Sequence, residues 1–103
     1  MIKVSIMYPA SAGATFDMAY YCDKHLPLVQ QKMGAALKKY GADLGLAGGA
    51  PGAPPAYIAF GYLYCESVEA FQAAFAPHAA EILADVPNYT NTQPQLQISE
   101  IKL

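Results

Sequence analysis

The 103-residue chain is short of charge: 14% of its residues are charged against 54% hydrophobic. That polar stock is too small to cover the surface of a small globule, so some apolar surface should meet a partner. The six basic and eight acidic residues form no cluster of either sign, which argues against the electrostatic footprint of a nucleic-acid binder. No apolar run approaches the length of a membrane span. The N-terminus "MIKVSIMYPASAGA" lacks a basic region followed by a continuous apolar stretch; it alternates, so it reads as a strand and not as a signal peptide. Cysteine is scarce, with only Cys22 and Cys65. Without secretory signals the pair indicates reduced thiols and a cytoplasmic protein, and a disulfide between them stays open. No repeat and no low-complexity tract is found, and the length fits one domain over residues 1–103.

Several cofactor signatures are also missing. "GLAGGAPG" lacks the Lys-Ser/Thr of a phosphate loop, and its proline removes an amide donor. There is no Cys-x-x-Cys-His for covalent haem. Cys22, His25, Cys65 and His78 are four ligand types that zinc accepts, but Cys65 and His78 have no flanking partner, so no metal site is expected.

What is present is strong patterning. "IKVSIMY" puts Ile2, Val4, Ile6 and Tyr8 on one face and Lys3, Ser5 and Met7 on the other, a strand over about Ile2 to Tyr8. Thr15 is placed as an N-cap, with Asp17 near the positive end of the helix it opens. Met18, Tyr21, Cys22, His25 and Val29 then recur at spacings of three and four as one stripe. Pro27 predicts an end or kink near Leu26, with a final stop at Gly34. "LKKYGADLGLAGG" suggests a strand with glycine-marked bulges, and Pro51, Gly52, Pro54 and Pro55 mark a surface loop. "AYIAFGYLYC" is the clearest strand, with Ile58, Phe60, Tyr62 and Tyr64 on one face and Tyr57, Ala59, Gly61, Leu63 and Cys65 on the other. Ser67 caps a second helix carrying Val68, Phe71, Ala74 and Phe75, which Pro77 interrupts and Pro87 and Asn88 end. "QPQLQISEIKL" closes as a strand whose alternation slips, which suggests a bulge or a change of exposed side.

Strand, helix, strand, taken twice, gives an α+β ferredoxin-like βαββαβ fold: a four-stranded antiparallel sheet with both helices on one face. The third strand is apolar on both faces, so the open side of the sheet needs a cover. The simplest cover is the same face of a second copy, a sheet-to-sheet homodimer.

"TFDMAYYCDKHLPL", "GLAGG" with its proline-rich loop, "AYIAFGYLYCESVEAFQAAFAPHAAEI" and "DVPNYTNTQPQLQISEI" together resemble the EthD family, named after a protein of ethyl tert-butyl ether degradation. The resemblance spans nearly the whole chain, and its most specific element is Tyr20-Tyr21-x-x-x-His25-x-Pro27-Leu28. It implies membership of the dimeric α/β-barrel superfamily, which holds isomerases, cyclases, monooxygenases, haem proteins and binding proteins. Many of these relatives hold a small molecule between helices and sheet, so fold alone does not decide the chemistry.

If the helix packs as its period requires, Met18, Tyr21, Cys22 and His25 face that cleft. His25 is the leading acid or base: carbonyls at a helix end favour imidazolium, while an apolar stripe favours the neutral ring. His78, at the start of a resumed helix, is held neutral by the dipole and could divide acid and base roles with it. Tyr21 lies one turn away and could donate to a ligand oxygen or orient the imidazole, whereas Tyr20 points elsewhere. Tyr40, Tyr57, Tyr62 and Tyr64 offer amphipathic walls, and Cys65 is a small thiol at a strand end. Each of these residues also has a purely structural reading as core. No cofactor is expected, although the superfamily leaves non-covalent haem open. Three functions follow: a cofactor-independent isomerase, cyclase or lyase using His25 on a small apolar or aromatic molecule; a non-catalytic carrier or accessory protein of an ether- or aromatic-degrading catabolic pathway; or a structural dimeric module.

Overall fold

The structure, a computed structural model, describes residues 1–103. Strand β1 (Ile2–Pro9) alternates as its sequence requires, burying Ile2, Val4 and Tyr8 and turning Lys3, Ser5 and Met7 to the opposite face. It pairs antiparallel with β3 (Tyr57–Cys65) on one side and β4 (Gln95–Glu100) on the other, and β2 (Lys39–Leu44) pairs with the outer edge of β3. The order β2-β3-β1-β4, with one helical rod after β1 and another after β3, is the ferredoxin-like arrangement expected. No helix is long and apolar enough to cross a membrane.

The first rod departs from its sequence reading in two places. After a turn at Ala12 and Gly13 the chain runs on through Phe16, which bridges Thr90, so the helix starts beyond Thr15. Asp17 is the N-cap, its carboxylate accepting from the Tyr20 N–H at 3.0 Å, while the Thr15 N–H goes to Asn91. Helix α1 (Met18–Tyr20) then runs through a π turn (Tyr21–His25) into α2 (Leu26–Met33). The π turn takes up the mismatch created by Pro27, which has no N–H to give. The rod therefore continues past Pro27, and His25 sits mid-rod, not at a C-terminal end. Gly34, with φ 64, stops it. In the second rod Ser67 caps α3 (Val68–Phe75), Pro77 lies in a 3-10 turn (Ala76–His78), and α4 (Ala79–Ala84) follows.

Neither expected bulge forms. β2 pairs regularly across Gly41, and β4 pairs regularly to Glu100, so the slip at Ile101 is the strand's end. The one register shift falls at Pro9, a residue unable to donate to a ladder; it pairs with Tyr57, skipping Ile58. The shift brings Tyr57 against Phe60, ring centroids 5.1 Å apart, while Ile58 packs on the core. β3 thus presents Ala59, Gly61, Leu63 and Cys65 to the helices and a ridge of Phe60, Tyr62 and Tyr64 to the open face.

Candidate functional site

Between rods and sheet, four rings and one carboxylate converge. His25 points inward from the π turn, its Nδ1 2.9 Å from Asp85 Oδ2. Asp85 caps the end of α4, and its Oδ1 accepts from the Tyr20 hydroxyl at 2.7 Å and from the Asn88 side-chain amide at 2.9 Å. On the other side of the imidazole, Nε2 lies 3.4 Å from the Tyr89 hydroxyl. Tyr89 and Tyr8 hydroxyls are 2.7 Å apart, and Tyr8 donates to Tyr21 at 3.4 Å. The Tyr21 ring stacks on His25 (5.5 Å, 15°), and the Tyr89 ring tilts over it at 4.5 Å. Room for Tyr21 exists because residue 61 is glycine: a methyl there would overlap the phenol.

The charges in this cluster follow from burial and donors. Burial lowers the His25 pKa, and the contact with Asp85 opposes that without cancelling it, so the ring is neutral at neutral pH. Burial works against the Asp85 carboxylate, but the donors Tyr20, Asn88 and His25 outweigh it and hold its pKa below the usual value. An ionised carboxylate only accepts, so Nδ1 carries the proton and Nε2 keeps a bare lone pair. Burial pushes the phenols of Tyr8, Tyr21 and Tyr89 far up, so all three stay protonated.

These shifts predict a two-step acid sensitivity. His25 titrates near 6.5 when unfolded and lower when folded, so the unfolded chain binds the extra proton first. Stability is full above about pH 6.5 and declines as pH falls toward the folded pKa. Asp85 has its pKa lowered from 3.8, so its contribution is present above that value and is lost further down. Urea midpoints measured against pH should show both declines, and His25→Gln should abolish the upper one alone.

His25, Tyr8 and Tyr89 border a cavity of about 40 Å³ otherwise walled by apolar side chains, Leu63, Phe71, Phe75, Ile82 and Leu96 among them. No lysine or arginine lines it. That volume suits a water or two and not an aromatic ring, nor a porphyrin on His25. A second, open groove of about 550 Å³ lies beside it, lined by Thr15, Phe16, Asp17, Met18, Asn88 and Tyr89 with neighbouring polar residues.

Of the residues singled out in the sequence, the structure brings His25 and Tyr21 together. Met18 lies on the open groove, its sulfur 3.5 Å from the exposed Cys22 Sγ. Cys22 misses the cleft because the π turn shifts the helical phase, leaving Tyr21 and His25 inward and Cys22 outward. Tyr40 donates to Gln30 at 3.1 Å, away from the cavity. Tyr62 and Tyr64 belong to the open sheet face by strand alternation, and Cys65 is a buried free thiol whose pKa burial pushes up. His78 closes its 3-10 turn half-buried and lines none of the cavities, so it forms no acid–base pair with His25. No group of three or more His, Cys, Asp or Glu side chains converges to hold a metal.

Sequence reasoning missed Tyr8, Asp85 and Tyr89, and it misplaced Tyr20, which reaches the histidine through Asp85. The signal available for Asp85 and Tyr89 was "DVPNY", an acid and a phenol on a proline-marked turn after an amphipathic helix.

An antiparallel sheet roofed by two rods, with a buried histidine held by a half-buried carboxylate, defines an α+β protein of the ferredoxin-like class with a helix–sheet cleft. The chain belongs to the EthD family: a model of the EthD domain matches residues 13–93. It is 39% identical over 93 residues to an uncharacterised 11.0 kDa protein of the thcB–thcC intergenic region of Rhodococcus erythropolis, covering 88% of this chain and 85% of that one. The crystal structure of an EthD-like protein from Ralstonia eutropha superposes with TM-score 0.94 at 52% identity, covering 99% of this chain and 92% of the other. An EthD-family protein from Bacillus halodurans shares the fold at TM-score 0.72 and 18% identity, with 99% of each chain covered.

Proposed function

We propose that this EthD-family chain is a cytoplasmic homodimer that binds a small, uncharged apolar or aromatic molecule in the helix–sheet cleft and uses His25 as a cofactor-independent base, in catabolism or biosynthesis. The carrying observation is the 2.9 Å contact between Asp85 and His25 Nδ1, which leaves the lone pair on Nε2, facing the Tyr89 hydroxyl at the edge of the apolar cavity. A neutral imidazole with an oriented lone pair suits removal of a proton from carbon next to a carbonyl. The C–H pair becomes a carbon–carbon double bond as the carbonyl π pair moves onto oxygen, where the protonated phenols nearby are donors of the right kind; return of the proton from His25 to a different carbon completes an isomerisation, and attack of the enolate carbon on a second carbonyl of the same molecule, whose oxygen takes that proton, completes a cyclisation. Without a lysine or arginine in the cavity wall, a carboxylate or phosphate finds no counter-charge.

The homodimer rests on the open face. Phe60, Tyr62 and Tyr64 form its ridge, and Lys3 lies 4.9 Å from the Tyr62 ring centroid. Native mass spectrometry of freshly purified protein should give a dimer and release an apolar metabolite. Incubating that compound with wild type and with His25→Gln then separates the functions: conversion by wild type alone supports the base, and retention unchanged by both makes the protein a carrier. A monomeric species defeats the dimer, and recovery of haem or zinc defeats the cofactor-independent reading.

A further inference from the structure

The apolar cavity beside His25 is too small for any ring, so a substrate reaches Nε2 only after a side chain moves. Tyr89 is the one residue shared by the walls of the 40 Å³ cavity and the 550 Å³ groove. Its ring packs against Phe16 of the groove wall at 5.3 Å and against His25 of the cavity wall at 4.5 Å, and so stands between them. The contacts that hold its hydroxyl are the 2.7 Å bond to Tyr8 and the 3.4 Å approach to His25 Nε2, the atom a substrate must reach. The backbone at Tyr89 leaves a short 3-10 turn containing Pro87, outside any long helix.

The groove has a distinct chemistry. Most of its polar groups are already committed: the Asn88 amide donates to Asp85, and one Asp17 oxygen accepts from Tyr20. The Thr15 N–H and carbonyl are both bonded, leaving its hydroxyl over. Among the side chains, what remains is that hydroxyl, the Asn88 amide oxygen and the second Asp17 oxygen, a set dominated by acceptors. Phe16 and Met18 supply apolar wall, and no cation lines the groove.

Resting on the reading of His25 as base, we infer that this groove is the docking site for a neutral, hydroxyl-bearing ring, and that Tyr89 swings aside to pass the ring to His25. The ligand donates hydrogen bonds to Thr15, Asp17 and Asn88. Tyr89 is both wall and door.

Resorcinol, a neutral ring with two donors, is the probe, and benzoate is the anionic control. Titrated into isotope-labelled wild type, resorcinol should shift the backbone amides of Thr15, Met18 and Asn88, and benzoate should not. Tyr89→Phe keeps the ring and removes both hydroxyl contacts. It should tighten resorcinol about fivefold, the factor one neutral hydrogen bond of ordinary net strength represents, and bring the His25 ring signals into the response. Thr15→Val, on an exposed side chain, should weaken resorcinol by a similar factor. The inference is overturned if resorcinol instead shifts Leu83 and Leu96, the exposed residues at the cavity's other rim, if benzoate binds as well, or if Tyr89→Phe leaves both affinity and the His25 signals unchanged. His25→Gln should retain the groove response in full, so failure of His25 as a base and failure of the groove are read separately.

Discussion

Replacing Gly61 by alanine is expected to destabilise the fold by about 3 kcal/mol, the upper range for a forced overpacking. Gly61 sits mid-strand on the helix face of β3, opposite Ile6 and Ala42, and the Tyr21 phenol lies directly over it. The added methyl would overlap the hydroxyl, and Tyr21 is fully buried, so the ring has nowhere to retreat without leaving His25 and Tyr8. The backbone itself carries no demand for glycine, since its φ is not positive. The loss is therefore steric and specific to one side chain, which a double-mutant cycle can show. Tyr21→Phe removes the overlapping oxygen, although the ring carbon behind it would still be tight at 3.0 Å. The pair Gly61→Ala with Tyr21→Phe should recover more than about 1 kcal/mol relative to additivity, as judged by urea unfolding. Additive losses would mean that Tyr21 is not what Gly61 accommodates.

Strand alternation made the sheet legible: once Ile2, Val4 and Tyr8 share a face, β1 and β3 can be oriented without coordinates. The cleft was legible only on one wall, because helix periodicity reports the residues of a single element. His25 and Tyr21 were found that way. Asp85 lies 60 residues from His25, and nothing in either local pattern encodes their approach. Tyr8 was visible as an inward residue of β1, but its hydroxyl acquires a role only through Tyr89, on the far side of the second rod. Tyr20 shows how a correct local inference fails globally. It does point away from Tyr21 around the helix, yet the carboxylate it meets is the one that holds His25. Pro27 announced an irregularity whose form was not readable, since a proline is compatible with a stop, a kink or a π turn. That form decides which of Cys22 and His25 faces inward.

With His25 as the base proposed above, Asp85→Asn should reduce turnover of its substrate on the order of a thousandfold or more, the scale seen when a catalytic imidazole is held in the wrong tautomer. The direction follows from the two donors already on Asp85. Tyr20 and Asn88 both give hydrogen to Oδ1, so an asparagine must keep its carbonyl oxygen there and place its NH2 where Oδ2 now meets His25. That NH2 can only donate. Nδ1 must then accept, which moves the ring proton to Nε2 and removes the lone pair from the cavity. Nitrogen NMR of the imidazole reads this directly, without substrate: Nε2 should change from unprotonated to protonated. Removing the carboxylate also removes the influence that opposes burial, so the His25 pKa should fall further below its ordinary value. A merely structural Asp85 would lower stability in the variant but leave the tautomer where it was. Adding Tyr20→Phe and Asn88→Leu to Asp85→Asn supplies the converse case. Freed of its two other donors, the introduced amide can turn its carbonyl oxygen to Nδ1, restoring the original tautomer and part of the turnover. If the tautomer is unchanged by Asp85→Asn alone, Asp85 does not set the proton position on His25.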